Sequence, residues 1–197
     1  MVNLTDEQLD ILTELINVGI GQAAKMLNEM IEFRIRLQVP LLEILSGVEL
    51  QEVLSQRLGL DPLSSVQLNF SGSFAGTAQL VFPTESAASL VSVLTGEEVE
   101  SPDLDALKIG TLTEVGNIVI NGVMGSMSNM LDQPMDYAVP TYTEEDIGHL
   151  VPMREPENSV LLAQARFDVE ELQLKGDIIL FFKVGSFQDL LTVIENF

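Results

Sequence analysis

Two short constellations carry side chains that could act on a partner or a substrate: Glu14 with Asn17, and Glu114 with Asn117. Each is a Glu-x-x-Asn set in a longer run. Asp10, Glu14, Asn17 and Gly21 are spaced four, three and four residues apart, and so are Gly110, Glu114, Asn117 and Asn121. On a helix that spacing lines four residues along one face. A carboxylate supplies a charged acceptor. A carboxamide supplies a donor and an acceptor and does not titrate near neutral pH, so the pair can grip and orient, but the amide is no general base. Asn is a mediocre helix former because it competes for backbone hydrogen bonds. Its presence mid-helix twice, beside the same Glu, points to a function on that face without specifying which.

Two long helices must carry these stripes. Thr5 with Gln8 three residues on reads as a capping box. Leu9, Leu12, Ile16, Ile20, Ala23, Leu27 and Met30 then follow three-four spacing to about Ile31. A second helix is predicted over about 103–131, with Leu112, Ile120, Val123 and Met127 opposite its stripe. The remaining pattern predicts strands near 33–41, 66–82 (two, broken near Gly72 or Gly76), 135–142, 159–167 and 172–184. Pro40 marks its strand as an edge or a strand end. Short helices are predicted at 46–58, from Thr84 as N-cap to about Leu94, near 144–150, and from Ser186, with 97–105 as connector.

The chain matches itself at an offset of 100 residues. Leu12-Thr13-Glu14 recurs as Leu112-Thr113-Glu114, Val39-Pro40 as Val139-Pro140, and Gly76, Leu80, Phe82 and Leu90 as Gly176, Leu180, Phe182 and Leu190, with no insertion or deletion required. A period this long is a duplicated half-domain and not a solenoid unit. The expected fold is α+β: duplicated half-domains with pseudo-two-fold symmetry, two long helices and one mainly antiparallel sheet of about six strands. Residues 1–197 form one domain of two repeats, about 1–97 and 103–197. A lone half would leave a sheet edge and an apolar face open, so the halves are expected to fold together.

Composition excludes several classes. Nine Lys and Arg against 30 Asp and Glu give a net charge of −21, with no basic footprint for nucleic acid or an anionic membrane. No stretch approaches the roughly 18 apolar residues that span a bilayer, and the N-terminus does not read as a signal peptide. With no cysteine there is no disulfide and no thiolate ligand or nucleophile, and a cytoplasmic location is expected. The single histidine, His149, has no partners for a metal site or a triad. Met124, Met127 and Met130 read as adaptable core, and no Gly-rich phosphate loop is present.

The run Asp10-Ile-Leu-Thr-Glu14-Leu-Ile-Asn17-Val-Gly19-Ile-Gly21-Gln-Ala23, with Pro40 following Asn17 after 22 intervening residues, resembles the signature of the CheC/FliY/CheX phosphatase family. Glu114, Asn117 and Pro140 repeat the spacing, and the likeness runs along essentially the whole chain. Two motif copies resemble CheC more than CheX, which carries one, and the length leaves no room for the FliN-like domain of FliY. FliM resembles the fold but lacks the Glu/Asn pairs. Gly110 departs from the family's Asp or Ser, which puts the equality of the two sites in question.

The resemblance implies hydrolysis of the aspartyl phosphate on a CheY-like response regulator of bacterial or archaeal chemotaxis. It implies that Asn17 and Asn117 each orient the attacking water and that Glu14 and Glu114 dock on the regulator's lysine. Asp10, Gly21 and Asn121 would complete the partner-binding stripes. Gly19 and Gly21 allow either close approach of that partner or packing on a neighbouring strand. No cofactor or metal is expected on this chain; Mg²⁺ is expected on the regulator. The deamidase CheD is a further partner that the family implies. The same fold could instead serve as a non-enzymatic chemotaxis or flagellar-switch interaction module, or as a CheD-binding adapter.

Overall fold

A computed structural model describes residues 5–38, 41–72, 75–98, 104–150, 159–183 and 190–192. The first helix, α1 (Asp6–Ile31), starts at the expected capping box: Gln8 N–H donates to Thr5 Oγ1 (3.2 Å) and Thr5 N–H to Gln8 Oε1 (2.9 Å). It ends at Glu32, which adopts the left-handed conformation (φ 58°) and donates its N–H to Asn28 O. Its counterpart α4 (Leu104–Leu131) is followed by Asp132 in the same conformation (φ 49°).

Between them come β1 (Arg36–Leu37), β2 (Leu41–Ser46), α2 (Gly47–Leu58), β3 (Leu63–Gly72), β4 (Gly76–Pro83) and α3 (Thr84–Thr95). After α4 follow β5 (Met135–Tyr137), β6 (Thr141–Glu145), α5 (Ile147–Leu150), β7 (Ser159–Val169), a 3₁₀ turn at Glu170–Leu172, and β8 (Leu174–Lys183). The expected final helix from Ser186 lies mostly outside the described residues; 190–192 are helical.

Among the described residues the sheet has eight strands where about six were expected. The single strands predicted near 33–41 and 135–142 each divide into two, β1/β2 and β5/β6. Ala138, Val139 and Pro140 interrupt the second pair, and a proline cannot donate to a ladder. Pro40 lies outside the described residues. β2 and β6 also run on to Ser46 and Glu145, and α5 begins only at Ile147, where Asp146 Oδ1 accepts Gly148 N–H at 3.0 Å. Thr84 is not the N-cap of α3. Pro83 holds that position, and Thr84 Oγ1 instead donates to Pro62 O at 3.0 Å.

All pairings are antiparallel, in the order β1-β7-β8-β4-β3-β5, with β2 also on β7 and β6 also on β3. Each half therefore gives its short strands to the other half's edge. At the centre, Gln79 of β4 faces Ile179 of β8, two positions 100 apart, which puts the pseudo-two-fold axis between them.

The offset of 100 fails in one strand pair. Phe82 is paired with Ser64, but Phe182 is paired with Leu161, so β7 matches β3 at an offset of 97. Three residues have shifted from before β7 to after it. On this register Phe167 matches Phe70. Phe70 meets Phe182 edge-to-face at 5.6 Å, and Phe167 meets Phe82 at 5.8 Å, so each aromatic pair takes one ring from each half. Gly76 and Gly176 lie opposite Phe70 and Phe167 in the ladders. A Cβ at Gly176 would sit 2.9 Å from a Phe82 ring carbon.

The sheet is covered on both faces. α1, α3 and α4 enclose the larger core, including Leu12, Ile16, Ile20, Leu112, Ile120, Met124 and Met127. α2 and α5 cover a smaller cluster around Leu50, Leu54, Ile179 and Phe181. Lys108, near the start of α4 and 8 % exposed, ties that helix to β6 through Glu144 (Nζ to Oε2, 2.8 Å). Burial works to lower the Lys108 pKa, but Glu144 and Tyr142 outweigh it and hold it above the ordinary value. Lys108 in turn holds the Glu144 carboxyl below its ordinary range. A depressed carboxylate stabilises the fold above its unfolded pKa, and that contribution disappears as pH falls through the folded value. Glu144→Gln is expected to cost about 1–3 kcal/mol at neutral pH by leaving Lys108 without its counter-charge. The gap between its unfolding midpoint and that of the parent should start to narrow as pH falls below the ordinary Glu range of about 4.3 and close only below the lowered folded value; a gap that does not narrow as the solution is acidified would show that the ion pair is not its source.

Candidate functional site

The site is built on the outward surface of α1 and α4. On α1 the buried positions are Leu12, Leu15, Ile16, Gly19, Ile20, Ala23, Leu27 and Ile31. Asp10, Glu14 and Gly21 are exposed and Asn17 is half-buried. On α4, Gly110, Glu114 and Asn121 are exposed and Asn117 is half-buried. The structure thus brings each predicted group of four onto one open helix face. Thr13 and Thr113, beside the two glutamates, both return their hydroxyls to the carbonyl four residues back, Leu9 O at 2.7 Å and Ile109 O at 2.6 Å. They leave the adjacent face to the Glu and Asn side chains.

Gly19 and Gly21 play different parts. A Cβ at Gly19 would lie 3.1 Å from Val123 O and 3.2 Å from Val123 Cγ1, so this glycine lets α1 approach α4 closely. Its packing partner is a helix, and the expected contact with a strand or a docking partner does not hold for it. Gly122 of α4 makes room in return for Met26, whose sulfur would lie 2.5 Å from an added Cβ. Gly21 has nothing within 4 Å of an added Cβ and stays available to an approaching surface.

The two stripes are not copies in detail. Asn121 Nδ2 donates to Asn117 Oδ1 at 2.7 Å, whereas Gly21 stands at the matching place beside Asn17. Gly110, facing open space, borders an apolar groove of about 480 Å³ with Met30, Leu94, Leu107 and Val115, and Glu114 also lines it. Sequence reasoning placed Leu9 on the core face of α1 and passed over Ile109 and Val18. Leu9 and Ile109 occupy matched positions and are 37 % and 57 % exposed, and Val18, next to Asn17, is 41 % exposed. Val18 is an apolar residue off the core periodicity, whereas Leu9 and Ile109, three residues before Leu12 and Leu112, lie on it and are exposed all the same.

Elsewhere, a polar cavity of about 220 Å³ on the α2 face is lined by Gln38, Arg57, Gln164, Arg166 and Asp177. Its charges are matched internally: Arg57 pairs with Glu43 (3.1 Å), and Asp177 accepts from Gln164 (2.8 Å) and Arg166 (3.2 Å). Burial pushes the Asp177 carboxyl up, against those donors. His149 Nδ1 lies 2.9 Å from Asp146 Oδ1 on the exposed surface of α5. Among the described residues no group of three His, Asp or Glu could hold a metal ion, and no helix is long and apolar enough to cross a membrane.

No family model matches the chain. Among curated proteins it is 23% identical over 202 residues to the CheY-P phosphatase CheC of Bacillus subtilis (strain 168), covering 97% of this chain and 95% of CheC. It is 17% identical over 197 residues to the flagellar motor switch phosphatase FliY of the same organism, covering 98% of this chain but 51% of FliY, so it spans about half of that protein. Among solved structures, Thermotoga maritima FliY superposes with a TM-score of 0.78 at 17% identity, covering 99% of both chains. The FliM middle domain of H. pylori gives 0.68 at 12% identity over 96% of this chain and 99% of that one. CheX from the CheX-CheY-BeF3-Mg²⁺ complex of Borrelia burgdorferi gives 0.58 at 19% identity, covering 87% and 99%. With two outward Glu/Asn stripes on a doubled α+β scaffold, the chain is homologous to CheC and FliY and shares its fold with FliY, CheX and the FliM middle domain.

Proposed function

We propose that this protein is a phosphatase for the aspartyl phosphate of a CheY-like response regulator, acting through Glu14/Asn17 on α1 and Glu114/Asn117 on α4. The observation that carries the reading is the placement of both Glu-x-x-Asn pairs on open helix faces in a chain homologous over 97% of its length to a CheY-P phosphatase. A relative that crystallised with CheY, BeF3 and Mg²⁺ supports a regulator as the partner.

The chemistry asks little of this chain. An aspartyl phosphate is an activated acyl phosphate, and phosphoryl transfer depends mainly on positioning and charge neutralisation. Mg²⁺, bound by the regulator, supplies the charge neutralisation. The carboxamide of Asn17 or Asn117 enters the regulator's pocket and accepts a hydrogen bond from a water molecule, aligning its oxygen opposite the leaving carboxylate. Water's oxygen bonds to phosphorus as the bond to the aspartyl oxygen breaks, giving inorganic phosphate and a free carboxylate. Glu14 or Glu114, one turn earlier, takes a charge-assisted hydrogen bond from the regulator's lysine, worth about 1.5–3 kcal/mol. The likeness to FliM favours a second reading, in which the same surface binds without turnover.

Phosphate release from a phosphorylated CheY-like regulator in Mg²⁺ separates the two readings. Asn17→Ala and Asn117→Ala are each expected to leave partial activity. Loss of a positioning group costs about 10²-fold at its own site, so the double variant should return the regulator to its intrinsic decay. Full turnover by that double variant would refute the phosphatase site. This chain carries −21 overall and the regulator presents an acidic metal-binding pocket, so their long-range electrostatics are unfavourable. KM is therefore expected to fall as salt rises from about 20 to 150 mM through screening; a steep rise would contradict the docking electrostatics. Gly21→Ala should stabilise the helix by about 0.5–1 kcal/mol in a urea titration while raising KM at the first site. An unchanged KM would remove Gly21 from the docking face.

A further inference from the structure

The two helices diverge at the residue one turn beyond the catalytic Asn. Asn121 follows Asn117, and its Nδ2 donates to Asn117 Oδ1 at 2.7 Å. Gly21 follows Asn17, and nothing lies within 4 Å of a Cβ added there. We propose that Asn121 is a positioning residue that holds the Asn117 carboxamide in one orientation, so that the second site is pre-organised while the Asn17 amide turns freely. The proposal rests on the phosphatase reading above and deepens it by making the two sites unequal.

The physical argument starts from the two ends of a carboxamide. Its oxygen has two acceptor sites and its nitrogen two donor hydrogens, and a half-turn about the last side-chain bond exchanges them. Only one of the two orientations presents the oxygen where a water molecule must be held. Asn121 donates to that oxygen along the helix, which selects one orientation and leaves the second acceptor site for water. Residues four apart on a helix face are neighbours, and amide pairs at this spacing hydrogen-bond on isolated helices. Asn121 is exposed and makes no contribution to the buried core. Its bond to Asn117 therefore acts on the reactive side chain and not on the fold. Ordering a polar side chain in advance saves entropy that Asn17 must lose on docking.

The test isolates one site at a time. In an Asn17→Ala background, where only the second site works, Asn121→Ala is expected to lower kcat roughly 3- to 10-fold with little change in KM. Asn121→Asp should lower it further, because a carboxylate only accepts and would turn the Asn117 nitrogen toward itself. In an Asn117→Ala background, Gly21→Asn should raise first-site kcat by a similar factor, together with the higher KM expected of any side chain at that position. Independently of activity, ¹⁵N relaxation of the side-chain amides in the free protein should show Asn117 ordered and Asn17 mobile, with the difference abolished by Asn121→Ala. If the parent releases no phosphate, the phosphatase reading fails and this proposal with it. If the parent turns over but Asn17→Ala/Asn121→Asp matches Asn17→Ala, or the two amides are equally mobile, only the positioning role is overturned.

Discussion

The antiparallel ladder between β4 and β8 is the contact on which the rest of the molecule depends, because it joins the two halves through backbone hydrogen bonds at their symmetry axis. Ala78, Gln79 and Leu80 face Leu180, Ile179 and Ile178. Once that register is set, β3 and β7 follow as neighbours, and each receives the short strands of the opposite half. The two aromatic pairs cross the same boundary. Neither half can complete its sheet alone: without the other, β3 and β7 would each present a long edge of unpaired backbone groups. Gln79, buried at the axis, adds a directional tie by donating to Leu150 O at the end of α5 at 2.8 Å.

The helix layer inherits this symmetry and turns it into two candidate sites. α1 and α4 approach closely where Gly19 meets Val123 and Gly122 receives Met26. Close helix contact fixes the rotation of each helix about its axis, and a rotation of one residue, about 100°, would carry the Glu/Asn stripe from solvent toward the core. The small residues inside the pair thus determine what the outside presents. Lys108 and Glu144 add a second restraint at the start of α4, whereas α1 begins with its own capping box.

An open helix surface suits an amide better than an acid or a base. Titratable groups acquire useful pKa values through burial or through close charges, and a face left open for another protein offers little of either before docking. A carboxamide needs no such tuning. Its demand is geometric, and the fold meets it by placing Asn on a rigid helix one turn from a Glu.

Local spacing made much of this molecule legible. The three-four periodicity of Leu12, Ile16, Ile20 and Leu27 determined α1, the same logic determined α4, and the stripe of Glu14 and Asn17 followed because a helix has a fixed pitch. The capping box at Thr5 and the 100-residue offset were equally plain. The division of the sheet into eight strands, the exchange of short strands between halves and the shift of β7 to an offset of 97 emerged only in three dimensions. So did the burial of Gly19 against a helix and the bond from Asn121 to Asn117. The reason is physical. Periodicity is written in side-chain type along one segment, but strand pairing uses N–H and C=O groups that nearly every residue carries, so residue type says little about which strand is the partner. Side-chain contacts such as Gly19 with Val123 depend on how two segments distant in the chain are brought together, and only the folded molecule decides that.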